Sequence, residues 1–204
     1  WIHNQLAYET LLSSGYATLI DDFRSTGHST VAVMPAITQA WPEGRLFRYD
    51  RIYDHDDLGY QGPPFNWVTM PDQYTWHRFQ DIRDANEGPL FAELALISSH
   101  APWVPILPVL DDWQSIGNGE VFRRWEGAGE APVSLWRDPD RVREHYGQAI
   151  AYALEVAGGF AAHYLRQDAL MIILGDHQPA PLITGEDASR DVVVHVISAN
   201  PSLV

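Results

Sequence analysis

Cysteine is absent from the 204-residue chain, which removes disulfide scaffolds, thiolate zinc sites and cysteine nucleophiles from consideration. Basic residues are scarce: 13 Lys and Arg stand against 27 Asp and Glu, for a formal charge of −14. A nucleic-acid backbone is therefore a poor partner, and anionic lipid would be repelled as well. A small anionic substrate stays open, because a bound divalent cation reverses the sign of the local field. No apolar run reaches the ~18 residues a membrane helix needs. The first residues, WIHNQLAYE, lack the basic and apolar regions of a signal peptide.

Apolar and aromatic side chains, by contrast, are plentiful. Hydrophobic residues make up 46% of the sequence, enough for one sizeable core, so a single domain over 1–204 is expected. Of the eight Trp, nine Tyr and seven Phe, eleven fall in two irregular stretches, about 35–71 and 104–139. Loops of that length are usually functional or disordered, and their aromatic content argues against disorder. Aromatic-rich loops often wall a pocket, although packing of loops onto a sheet accounts equally well for any single ring.

The periodic segments read as helices feeding strands, the order of an α/β fold. Leu6, Leu11 and Leu12 mark a first short helix, and Leu19, Ile20 and Phe23 a second that stops before Gly27. Thr30 to Met34 is a β-branched, apolar strand. Asp72 caps a helix with Tyr74, Trp76, Phe79 and Ile82 inward, and a strand follows over Leu90 to Ile97. Asp138 as cap and Pro139 in the first turn open the longest helix, with Val142, Tyr146, Ala149, Ala153, Val156, Phe160 and Tyr164 at helical spacing. It leads into Ala169 to Leu174, whose uniform apolarity predicts a parallel strand covered on both faces. A last strand, Val192 to Ile197, encloses His195, which is expected to face the core or a helix.

Two strands deliver a histidine to their carboxyl ends: His100 after SSH, and His177 beside Asp176 in GDHQP. In an open parallel sheet that edge is where ligands bind. A carboxylate beside an imidazole can hold a metal, the mix of donors suiting zinc or manganese better than calcium, although Gly-Asp is also an ordinary turn. Asp54, His55, Asp56 and Asp57 read as an exposed acidic turn, since neighbouring residues seldom converge on one ion outside a defined calcium loop. His145 and His163 carry no ligand signal. Ser98 and Ser99 lack the glycine-flanked elbow of a serine hydrolase.

GDHQP after an apolar strand, SSHAPW after an earlier one, and the helix YGQAIAYALEVAGGF leading into ALMIILGDH together resemble the sulfatase-like branch of the alkaline phosphatase superfamily. Membrane-anchored bacterial lipoteichoic acid synthases and phosphoethanolamine transferases belong to that branch. The resemblance implies a three-layer α/β/α sandwich with a mainly parallel sheet, incomplete on its N-terminal side. It also implies a divalent metal, Zn²⁺ or Mn²⁺ with Mg²⁺ or Ca²⁺ as alternatives, held by Asp176 and His177. His100 becomes the catalytic histidine that contacts substrate or a second metal, and Trp41, Arg45 and Trp103 become substrate-binding residues. Arg45 stands in for an arginine that the synthases place directly after the tryptophan, where this sequence reads WPEG.

The activity implied is hydrolysis or transfer of a lipid, glycan or small-molecule phosphate or sulfate ester through a covalent intermediate. The parent protein would be membrane-anchored and face the extracytoplasmic side. The family's nucleophile and a further carboxylate ligand map ahead of Trp1, so the isolated chain is expected to be inactive. The alternative is a non-catalytic module whose aromatic cleft binds a glycan or lipid headgroup.

Overall fold

The structure, a computed structural model, describes residues 4–204. The segment expected ahead of Trp1 lies outside them. Two short helices come first, each started by a side-chain cap. Asn4 caps α1 (Gln5–Ser13), and Thr18 caps α2 (Leu19–Ser25) in a reciprocal box with Asp21. Arg48 donates to the same Asp21 carboxylate. Those bonds, the Arg48 contact first and the Thr18 amide second, hold Asp21 well below the usual carboxylate range.

A three-stranded parallel sheet follows, in the order β2-β1-β3, from β1 (Ser29–Val33), β2 (Arg51–Tyr53) and β3 (Leu90–Leu94). Side-chain alternation assigns its faces. Val33, Tyr53, Ala92 and Leu94 point into the main core. Phe91 points the other way and stacks on Phe23 of α2 with ring centroids 4.3 Å apart. The main core is closed by α4 (Asp72–Asp84) and α6 (Pro139–Tyr164), so helices cover both faces. This is the expected α/β/α layering. Coverage of both faces is also why Thr30 to Val33 are all buried.

β2 lies inside the stretch 35–71 that reads as irregular, because three residues led by a charged Arg51 give no alternation to detect. In the same stretch, α3 (His55–Leu58) is the acidic turn: the Asp54 side chain accepts from the amides of Asp56 and Asp57. The second irregular stretch holds α5 (Pro132–Leu135). α6 follows the sequence reading closely. Asp138 accepts from the amides of Asp140 and Arg141, and Val142, Ala149, Tyr152, Val156, Ala157 and Phe160 are buried. Phe160 sits 4.5 Å from Trp76 and 6.0 Å from Phe79, centroid to centroid.

The last two strands correct the expectation. β4 (Leu170–Leu174) and β5 (Val194–Ser198) form an antiparallel pair of their own, outside the parallel sheet. Met171, Ile173 and Ile197 pack on the main core. The opposite face, with Leu170, Ile172, Leu174, Val194 and Val196, is between 45% and 58% exposed. His195 pairs with Ile173 and is exposed, where a core-facing ring was expected. An apolar run indicates that a strand has two apolar faces, but not what covers the second one.

Candidate functional site

The chain leaves β3 through Ile97 and Ser98 to reach His100, and Asp72 fixes that passage. Its Oδ1 accepts from the amides of Ile97 at 3.0 Å and Ser98 at 2.8 Å, while the Asp72 amide donates to Ser98 Oγ at 2.9 Å. The sequence reading made Asp72 the cap of α4. Pro71 occupies the cap position instead, and Asp72 caps the strand end opposite. Asp72 is fully buried, and burial raises its carboxyl above the usual range against the lowering effect of the Ser98 and Ile97 amides. The adjoining cavity, lined by Ser98, Phe65, Leu107 and Tyr152 among others, measures about 20 Å³. That volume suits about one water and excludes an organic ligand.

His100 itself is exposed, and its Nδ1 lies 2.7 Å from the Ala101 carbonyl oxygen. A carbonyl can only accept, so Nδ1 carries the proton and Nε2 is left for a ligand. Neutral His100 then offers an acceptor, and its imidazolium form offers a donor to an ester oxygen. The exposed ring beside it is Trp67, with centroids 6.2 Å apart. Sequence reasoning placed Trp67 among the loop aromatics without a role. The turn-forming Asn66 before it, here at φ +59, is the signal that this indole sits on a tight turn.

Trp103, expected to touch substrate, is buried. Its ring stacks on Trp136 at 5.5 Å and meets Tyr146 edge-on at 5.3 Å, while its Nε1 donates to the Ser99 carbonyl at 2.8 Å. His145 Nδ1 donates to the Trp103 carbonyl at 2.9 Å, which gives that histidine its packing role. The backbone of Trp103 has φ +58, a conformation that is an outlier for so bulky a residue. These contacts make Trp103 a brace for the His100 loop.

At the end of β4, the amide of His177 donates to Asp176 Oδ1 at 2.9 Å, and His177 Nδ1 donates to the Gln178 carbonyl at 2.8 Å. The second bond fixes the tautomer that leaves Nε2 free, the usual support for a ligating histidine. Nε2 lies 3.6 Å from Asp176 Oδ2, close to the spacing of two ligands that each stand ~2.0–2.2 Å from one zinc ion. Gln178 also donates through its side chain to the Asp191 carbonyl, tying the turn to the segment that enters β5. Both side chains are open to solvent, Asp176 at 91% and His177 at 78%. Among the described residues no group of three or more His, Cys, Asp or Glu is placed to hold an ion. By itself the pair offers two donors, fewer than the four of a tetrahedral zinc shell.

The segments that follow the two histidine turns meet on one apolar cluster, not through a shared sheet. Ala101, Trp103 and Val104 from the His100 loop pack with Leu182 and Ile183 of α7 (Pro181–Thr184), just beyond the Asp-His turn, against Val142, Tyr146 and Ala149 of α6. Trp41 and Arg45 lie in the long connection that leaves β1 at the sheet edge it shares with the end of β3 and, because β2 is also parallel to β1, reaches the opposite edge by Arg51. The Trp41 ring lies against Gly44, where a Cβ would come within 2.6 Å of it, and 5.6 Å from Phe47. Arg45 is exposed.

No family model matches the sequence, and no curated protein matches it. Among solved structures the fold is similar to that of the lipoteichoic acid synthase LtaP from Listeria monocytogenes, with a TM-score of 0.52 and 15% identity. The likeness covers 78% of this chain and 36% of that one. At that identity it shows the fold alone, a mixed α/β arrangement that corresponds to about a third of that protein's chain. No helix among the described residues is long and apolar enough to cross a membrane.

Proposed function

We propose that this chain carries part of the active site of a sulfatase-like hydrolase or transferase acting on phosphate or sulfate esters. The observation that carries the reading is that the segments following His100 and Asp176–His177 pack on one apolar cluster over α6, in a chain whose fold is similar to that of a lipoteichoic acid synthase. Asp176 Oδ2 and His177 Nε2 supply two ligands for Zn²⁺ or Mn²⁺. Bound there, the metal would neutralise charge on an ester oxygen and lower the pKa of a hydroxyl nucleophile.

The remaining work falls to the chain's own residues. His100, its Nδ1 committed to Ala101, presents Nε2 to a non-bridging oxygen or to the leaving group. Arg45 supplies positive charge in an otherwise acidic protein, and Trp41 offers an apolar ring to the organic part of the substrate. Trp103 acts through the loop it braces. The natural substrates are lipid-, glycan- or small-molecule-linked esters, handled on the extracytoplasmic side of a membrane. The nucleophile and the remaining ligands come from outside the described residues, so the isolated chain binds metal weakly and does not turn over.

The test is cobalt titration followed by visible absorption, which reports the ligand set directly, on the chain and its Asp176→Ala variant. Turnover of aryl phosphate, phosphodiester and sulfate is measured in parallel on the full-length protein. Weak cobalt binding that Asp176→Ala abolishes, with ester turnover lost in the same full-length variant, is the expected pattern. Turnover indifferent to Asp176 and His100 would overturn the reading.

A further inference from the structure

A shallow cleft of about 440 Å³ opens beside His100, lined by Asn66, Trp67, Pro102 and Pro132. Trp67 lines it with its indole 72% exposed, so a large amphipathic ring face stands open to whatever enters the cleft. The ring is not on a loose loop. Phe65 and Val68 exchange backbone hydrogen bonds at 2.8 and 3.1 Å, closing a tight turn around Asn66 and Trp67. Phe65 is buried in the main core, and the Asn66 side chain donates to the Val104 carbonyl. The facing wall is equally fixed, since Trp136 Nε1 donates to the Pro102 carbonyl at 3.3 Å. Val133, 67% exposed, extends the apolar rim beyond Pro132.

The chemistry of the lining narrows the occupant. None of these four residues is charged, so the cleft offers nothing to neutralise a phosphate. The walls are rigid and flat, and the opening is broad, which suits a ring laid against the indole better than an acyl chain, which needs a deep slot. A quaternary ammonium would call for several aromatic faces converging on one point. The faces of pyranose sugars carry several C–H groups, and their edges carry hydroxyls that water can keep solvated in an open cleft. A flat indole face meets the first and leaves the second wet.

We propose that Asn66, Trp67, Pro102 and Pro132 form a subsite for a neutral pyranose ring, seated on Trp67 with His100 6.2 Å away, ring centroid to ring centroid. The proposal rests on the preceding reading in one respect, that His100 marks the reacting end of the substrate. The subsite then holds the glycan part of a sugar-bearing ester or acceptor.

The experiment uses the full chain with neutral disaccharides (maltose, cellobiose and chitobiose), glycerol phosphate and a short-chain phosphatidylcholine as probes. It is read by saturation-transfer NMR and tryptophan fluorescence, with near-UV circular dichroism to confirm folding. A disaccharide should bind at concentrations up to about 10 mM. Trp67→Ala should weaken it by about tenfold or more, Trp67→Phe should restore part of the loss, and Tyr16→Ala, at an exposed ring elsewhere on the surface, should leave it unchanged. Absence of sugar binding to the parent chain, equal binding by Trp67→Ala, or binding of the phospholipid alone would each overturn the subsite. Failure of the ester chemistry is read separately. If full-length turnover ignores Asp176 while sugar binding still depends on Trp67, the catalytic reading falls and the subsite stands.

Discussion

The two strand ends that carry the candidate histidines are built in opposite ways. The one after β3 is embedded: a fully buried carboxylate holds its amides, and a tryptophan in a strained backbone conformation braces the next turn. The one after β4 stands on a two-stranded ladder with an open apolar face, and its Asp and His are nearly free in solvent. The first loop is preorganised by this chain's own core. The second has its tautomer set and its donors aligned, yet takes little support beyond the Gln178 strap. Positioning of His100 is thus a folding property of the described residues, whereas the Asp176–His177 side chains take little positioning from them.

Substitutions can break this contrast, beginning with the core that supports both ends. Phe160→Ala should cost about 4 kcal/mol in a denaturant titration, because the ring is buried among Trp76, Phe79 and Trp113 and little can collapse into its place. Met171→Ala, on the inner face of the β4–β5 ladder, should cost less, about 2 kcal/mol, at the low end for such truncations. A Met171 effect as large as that of Phe160 would mean the ladder is as firmly docked as the helices.

Asp72→Ala comes next, at about 2 kcal/mol, the cost of leaving its amide donors without an acceptor. Its pH signature is more specific than its size. Burial raises the Asp72 carboxyl above its unfolded value, so the native state holds that proton more tightly than the unfolded chain does. Stability should therefore fall as pH rises from about 4, the unfolded carboxylate range, through the raised native value. Asp72→Asn should flatten that limb while losing part of the amide pairing. A limb that rises through the same window in the parent chain, or one that Asp72→Asn leaves intact, would show that the clamp is not built on a proton-retaining carboxyl. Asp176→Ala, by contrast, should change stability by no more than about 0.5 kcal/mol in metal-free buffer, since its side chain is 91% exposed.

Sequence periodicity made the embedded region legible. The helical stripe from Val142 to Phe160, the Asp138 cap and the inward faces of Tyr74, Trp76, Phe79 and Ile82 all have local causes, and all stand where the pattern put them. His100 and the Asp176–His177 turn were marked by their place after apolar strands, and the structure puts both turns there. Tertiary choices were not legible. Asp72 serves a segment 25 residues away, Trp103 packs inward from a loop with no periodic pattern, and Trp67 becomes the open ring beside His100 through a turn whose partner is Val104. Each depends on which loop lies opposite, information that spacing along one segment does not hold.

The smallest expected effect tests the contrast most sharply. Ile172 and Met171 are consecutive residues of β4, equally apolar, and pointed to opposite faces. Met171 is 9% exposed and Ile172 54%. Ile172→Thr keeps the β-branched shape and strand preference while removing apolar surface. With the outer face in water, it should shift stability by less than about 0.5 kcal/mol and reduce binding of a hydrophobic dye. A loss of several kcal/mol on the full-length protein, with none on the isolated chain, would mean that the outer face is covered there. The uniform apolarity of Leu170 to Leu174 would then reflect coverage of both faces in the full-length protein, and the openness of this strand end would belong to the isolated chain alone.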